Sequence, residues 1–134
     1  MTTIESRIGK IEEKEETVFQ FLSNFRNFEN LVPQDKISGW EATEDSCRFT
    51  ISGIGEVGLK IVDKEPHKVI KYSGDNLATV DFHLWIQLKQ VDDRDTRIRI
   101  TFKAELNPML NTLAKKPLQE FVNILVDKLE QHQF

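Results

Sequence analysis

The stretch that decides the fold is Val80–Gln131. It reads "VDFHLWIQLKQ" (80–90), "DDRD" (92–95), "TRIRITFKAEL" (96–106) and "NPMLNTLAKKPLQEFVNILVDKLEQ" (107–131). In the first piece Val80, Phe82, Leu84, Ile86 and Leu88 alternate with Asp81, His83, Trp85, Gln87 and Lys89. In the third, Ile98, Ile100, Phe102, Ala104 and Leu106 alternate with Arg97, Arg99, Thr101, Lys103 and Glu105. Strict alternation is the period of a strand with one buried face and one wet face. The charged "DDRD" between them reads as a hairpin connection. The last piece changes period. Asn107 and Pro108 supply an N-cap and a first-turn proline. Leu110, Leu113, Ala114, Pro117, Phe121, Leu125 and Leu129 then keep one helical stripe. Such a helix is about 36 Å long at ~1.5 Å per residue. Pro117 costs roughly 3 kcal/mol in a helix interior. The stripe keeps its phase across it, which predicts one kinked helix rather than two.

Upstream, residues 3–11, "TIESRIGKI", alternate with Ile4, Ser6 and Ile8 on one side, a half-buried strand. Residues 14–25 place Val18, Phe21, Leu22 and Phe25 at i, i+3, i+4 and i+7, the stripe of a helix. Glu15 and Glu16 sit in its first turn, where the helix dipole favours them. Asn27 can cap a second short helix carrying Phe28, Leu31 and Val32, which Pro33 would end. Short strands follow: 36–43 with Trp40 and Ala42 on one side, 46–52 with Cys47, Phe49 and Ile51 inward, 56–63 with Val57, Leu59 and Ile61, and 67–73 around Ile70 and Tyr72. "GIG" (53–55), "DKEPH" (63–67) and "SGDN" (73–76) carry turn chemistry.

With 134 residues, 39% apolar and 30% charged, the chain reads as one globular domain spanning 1–134. A net charge of −4 without a Lys/Arg block argues against nucleic-acid binding. No apolar run reaches the ~20 residues of a membrane span, so no integral membrane contact is expected. "MTTIESRIGKIEEKEE" lacks the apolar core of a signal peptide. With a single cysteine, Cys47, it points to a reducing cytoplasm.

Strand, short helix pair, six strands and long helix describe an α+β fold: a seven-stranded curved antiparallel sheet whose apolar face only the C-terminal helix is long enough to cover. This order resembles the START-like helix-grip superfamily, also called SRPBCC, which includes polyketide cyclase/dehydrase-like and lipid-transport proteins. The likeness covers nearly the whole chain. It rests on the element order, on "TVFQFLSNFRNFENLVP" after the first strand, on "FTISGIGEVGLKI" and on the closing kinked helix. The piece "ISGIGEVGLKI" is similar to the glycine-marked strand pair of the carbon monoxide dehydrogenase branch of that superfamily. The resemblance implies a cavity between sheet and long helix for an apolar or amphipathic small molecule such as a lipid, quinone or polyketide. The fold hosts both carriers and enzymes.

The chemistry of the residues is sparse. His67, His83 and His132 are scattered without metal-ligand spacing, and neither a nucleophile elbow nor a phosphate loop is present. No metal and no cofactor are therefore expected. Inward positions hold almost no titratable group. Tyr72 is the best inward hydrogen-bond donor for a ligand, with Ser6 and Ser38 lesser ones; its alternative is a core ring with its hydroxyl at the rim. The predicted ligand-binding set is Trp40, Phe49, Leu59, Tyr72, Leu84, Ile100, Met109, Leu113 and Pro117, gated by Phe28 and Leu31. Trp85 falls by parity on the wet face beside Arg97 and Arg99, as a ring packed on arginine stems or as a contact such as a homodimer face. The expectation is a non-catalytic carrier or sensor of a hydrophobic small molecule. The alternatives are a cyclase- or hydratase-type enzyme using Tyr72 or a water, and an interaction domain with a filled cavity.

Overall fold

The computed structural model describes residues 2–32, 35–77 and 80–134. The elements are β1 (Thr2–Glu5), β2 (Gly9–Ile11), α1 (Glu15–Leu22), a 3-10 turn (Phe25–Phe28), β3 (Ile37–Ala42), β4 (Ser46–Ile51), β5 (Gly55–Glu65), β6 (Val69–Leu77), β7 (Val80–Asp92), β8 (Asp95–Ala104) and α2 (Pro108–Gln131). One antiparallel sheet has the order β1-β8-β7-β6-β5-β4-β3, with β2 also on β8. Alternation in β7 and β8 puts Phe82, Leu84, Ile86 and Leu88 beside Ile98, Ile100, Phe102 and Ala104 on the buried face.

The first strand is two strands. Glu5 pairs with Thr101 and Gly9 with Ile98, so the edge carries one extra residue, a bulge. Ser6 exchanges both bonds with Ile100: its N–H donates to the Ile100 carbonyl and its Oγ accepts from the Ile100 N–H, each at 2.8 Å. The bulge reverses parity beyond it. Ile8, expected inside, is 63% exposed, and Gly9 and Ile11 face in.

The sheet edge is closed by α2. Its Asn123 and Glu130 side chains accept from the N–H groups of Arg7 (3.0 Å) and Lys10 (2.8 Å), and Gln119 donates to the Glu5 carbonyl (2.8 Å). An unpaired edge would otherwise expose these groups to another chain. Arg7 also pairs with Asp127 and Glu130.

A second bulge lies in β3 between Ser38 and Glu41, with Gly39 at φ +66°. Ile37 is buried, Ser38 exposed and Trp40 half-buried, so Ser38 does not share the inner side with Trp40. "SGDN" is not a turn, because β6 continues to Leu77, which pairs with Val80. Gly74 serves a close approach instead: a Cβ there would lie 2.1 Å from the Phe82 ring. β5 likewise runs to Glu65, past the expected end at 63, and His67 turns the chain at φ +66°.

Two short helices become one helix and one 3-10 turn. Asn24, not Asn27, caps the turn, accepting from the Arg26 N–H at 3.0 Å. Asn27 donates to the Phe21 carbonyl at 2.9 Å, and Ser23 Oγ to that of Phe19 at 2.7 Å, which satisfies free carbonyls at the end of α1. Pro33 lies outside the described residues. Val18, Phe19 and Leu22 are the buried face of α1, and Phe21 instead packs on His132 and Phe134, at 4.5 and 5.1 Å between ring centroids.

Candidate functional site

α2 runs unbroken through Pro117. Its buried residues are Ala114, Leu118, Phe121, Val122, Leu125, Val126 and Leu129. Leu113, placed on the stripe by its spacing to Pro117, is 65% exposed. The true stripe is one residue later in the first half, at 114, 118, 121 and 125, so Leu113 lies ~100° off it. Up to Pro117 the helix buries only Ala114; from Leu118 onward it buries six side chains.

Where α2 does press on the sheet, a cavity of about 30 Å³ remains. Phe49 and Ile51 of β4, Val57 and Leu59 of β5, Phe82 and Leu84 of β7, Phe102 of β8, and Leu118, Phe121 and Val122 of α2 enclose it. None of these side chains titrates or carries a polar atom. The space equals about two waters and is far below the ~300 Å³ of a small-molecule pocket. An aromatic stack forms one wall. Trp40 lies on Phe49 with centroids 5.4 Å apart, and Phe49 on Phe121 at 6.1 Å.

The structure gathers three of the predicted ligand residues, Phe49, Leu59 and Leu84, on the cavity, with Trp40 one ring behind. Pro117 is half-buried just before Leu118, and Met109 and Leu113 point outward. Phe28 and Leu31 are buried, and Phe28 stacks on Phe25, itself 5.3 Å from Tyr72. Ile100 is fully buried against the Ser6 bulge. Tyr72 is fully buried, its hydroxyl donating to the Leu22 carbonyl at 3.4 Å, and burial pushes its pKa up. The lining residues not singled out from sequence are Ile51, Val57, Phe82, Phe102, Leu118, Phe121 and Val122. The strand members were legible by parity, and Leu118 and Val122 by their spacing of four from Ala114.

Cys47 is buried on the inner face, and desolvation pushes its thiol up to about 12, so it stays protonated and inert. Trp85 is half-exposed on the outer face, with the ammonium groups of Lys71 and Lys103 each 5.6 Å from its ring and His83 at 5.9 Å. The cations are lysines, not the arginines expected. Arg97 pairs with Asp95, and Arg99 with Glu5. His67 meets Phe19 edge-on at 5.7 Å. Among the described residues no group of His, Cys, Asp and Glu could hold a metal ion, and no helix is long and apolar enough to cross a membrane.

No family model matches the chain, and no curated protein matches it in sequence. Solved structures do match in fold. A conserved protein from Geobacillus kaustophilus superposes with a TM-score of 0.70 at 14% identity, over 96% of this chain and 92% of its own. The Zhui aromatase/cyclase from Streptomyces gives 0.69 at 14% identity, over 97% and 94%. A START superfamily protein from Mycobacterium smegmatis gives 0.64 at 14% identity, over 96% and 97%. An antiparallel sheet closed by a long C-terminal helix, superposing on these proteins over nearly its whole length, has the START-like helix-grip fold.

Proposed function

We propose that this protein binds a hydrophobic small molecule, of lipid, quinone or polyketide-like character, without transforming it. The observation that carries this reading is the enclosed cavity between sheet and α2, whose ten lining side chains are all apolar. Such a lining gains affinity from burial, at ~25 cal/mol per Å² before ordering costs, and offers nothing to move a proton.

A cavity of about 30 Å³ has to open to admit such a ligand. The hinge is at hand. Pro117 has no N–H to donate to the carbonyl four residues earlier, and the helix before it buries only Ala114. Swinging that first part outward would draw Leu118 and Phe121 from the cavity at little cost in buried area. The fold supports the reading, since an aromatase/cyclase and a START superfamily protein share it.

Native mass spectrometry with organic extraction, followed by titration with an environment-sensitive hydrophobic dye, tests it. The expected result is a stoichiometric apolar passenger, or saturable dye uptake that Val122→Phe abolishes while the circular dichroism stays native. A protein that arrives bare and takes up no dye overturns it. The cyclase or hydratase alternative requires Tyr72→Phe to lower a rate without weakening binding. The Tyr72 hydroxyl is committed to the Leu22 carbonyl, so no such loss is expected.

A further inference from the structure

The two most exposed large apolar side chains among the described residues are Met109, at 75%, and Leu113, at 65%. They lie one turn apart on the outward side of α2, in the part of the helix that buries only Ala114. Lys116 continues the same side, and Lys115 flanks it; both are exposed, and neither forms a salt bridge among the described residues. Farther along that side Glu120 is held by Lys36 at 2.7 Å. The stretch from Leu106 to Pro117 has these two lysines and no carboxylate, in a chain of net charge −4. The second part of the helix is unlike it, with Glu120, Asp127 and Glu130. Apolar residues that burial does not explain therefore sit on the one basic part of the helix.

We propose that this ridge docks the protein on an anionic lipid surface, with Met109 and Leu113 entering the acyl boundary and Lys115 and Lys116 among the headgroups. Two side chains on a ridge bury far less than the ~800 Å² per partner of a stable protein interface. A fluid bilayer sets no such threshold, because shallow insertion and basic charge add to weak reversible binding. The charge of the rest of the molecule opposes any other orientation on that surface. This docking stands on the surface of α2 alone and holds whether or not the internal cavity takes a ligand.

The test is co-sedimentation of the full chain with vesicles of phosphatidylcholine and phosphatidylglycerol in equal parts, and with phosphatidylcholine alone. The wild type is expected to sediment with the anionic vesicles and to be released by high salt. Lys115→Ala/Lys116→Ala should weaken partitioning about twentyfold, at roughly fivefold per lysine. Met109→Ser/Leu113→Ser should abolish it, and since both side chains are exposed the fold should survive. Absence of sedimentation with the anionic vesicles, or sedimentation unchanged by the double serine variant, overturns the proposal. So does a wild-type dimer in light scattering that Leu113→Ser makes monomeric, since a second copy would then cover the ridge.

Discussion

Phe49 of β4 and Phe121 of α2 face each other across the sheet–helix boundary, with centroids 6.1 Å apart and planes 18° from parallel. Both rings line the cavity, so this pair sets how much of it is empty. Phe121→Ala is expected to enlarge the cavity, to raise uptake of a hydrophobic dye and to cost about 3–5 kcal/mol in urea unfolding. Lower stability with unchanged dye uptake would show that the core collapses into the space.

Gly39 turns Trp40 toward that stack. Its φ of +66° disfavours any other residue, although a Cβ at this position would meet nothing within 4 Å. Gly39→Ala should therefore act through the backbone alone, costing about 1–2 kcal/mol. Tryptophan fluorescence should shift as Trp40 leaves Phe49, and a spectrum like that of the wild type would show that the bulge persists.

Gly9 is constrained in the opposite way, by space. A Cβ there would fall 2.4 Å from Val126 Cγ1 and 3.0 Å from Ile98 Cγ2, both in the core. Gly9→Ala is expected to cost about 1–3 kcal/mol by pushing α2 from the edge strand. Gly9→Ala/Val126→Ala should recover part of that loss, measured against Val126→Ala alone in a double-mutant cycle.

Two carboxylates link stability to pH. Glu130 is held below the usual carboxylate range by Arg7, assisted by the Lys10 N–H, and Glu15 by Lys68, assisted by the Gln90 N–H. Their folded-state values lie below the unfolded ones. Their contribution is thus complete above the unfolded pKa, near ~4.3, and is lost as pH falls through the lowered values. Glu15→Gln/Glu130→Gln should be less stable than the wild type at neutral pH. The gap in urea midpoint should close as pH falls from about 5 to about 3; a gap independent of pH would assign it to packing.

Trp85 tests the interaction-domain reading. A homodimer through this face would set Lys71 and Lys103 of two copies against each other. A single chain mass is therefore expected at low salt in light scattering. A dimer that Trp85→Ala dissolves would instead favour the face as a contact and make the small cavity a filled core.

The order of elements, the inward faces of β7 and β8, the capped start of α2 and the absence of polar groups inside were all determined by local sequence, because period and capping act over a few residues. The tertiary structure decided what depends on contacts between distant segments. The bulge at Ser6–Ile8 follows from pairing with β8 and turned Ile8 outward; the approach of Phe82 made Gly74 a strand glycine. The rotation of α2 was also settled there. Leu113 and Leu118 are equally apolar, and only the fit of the later turns to the sheet buries Leu118 on the cavity and leaves Leu113 in water.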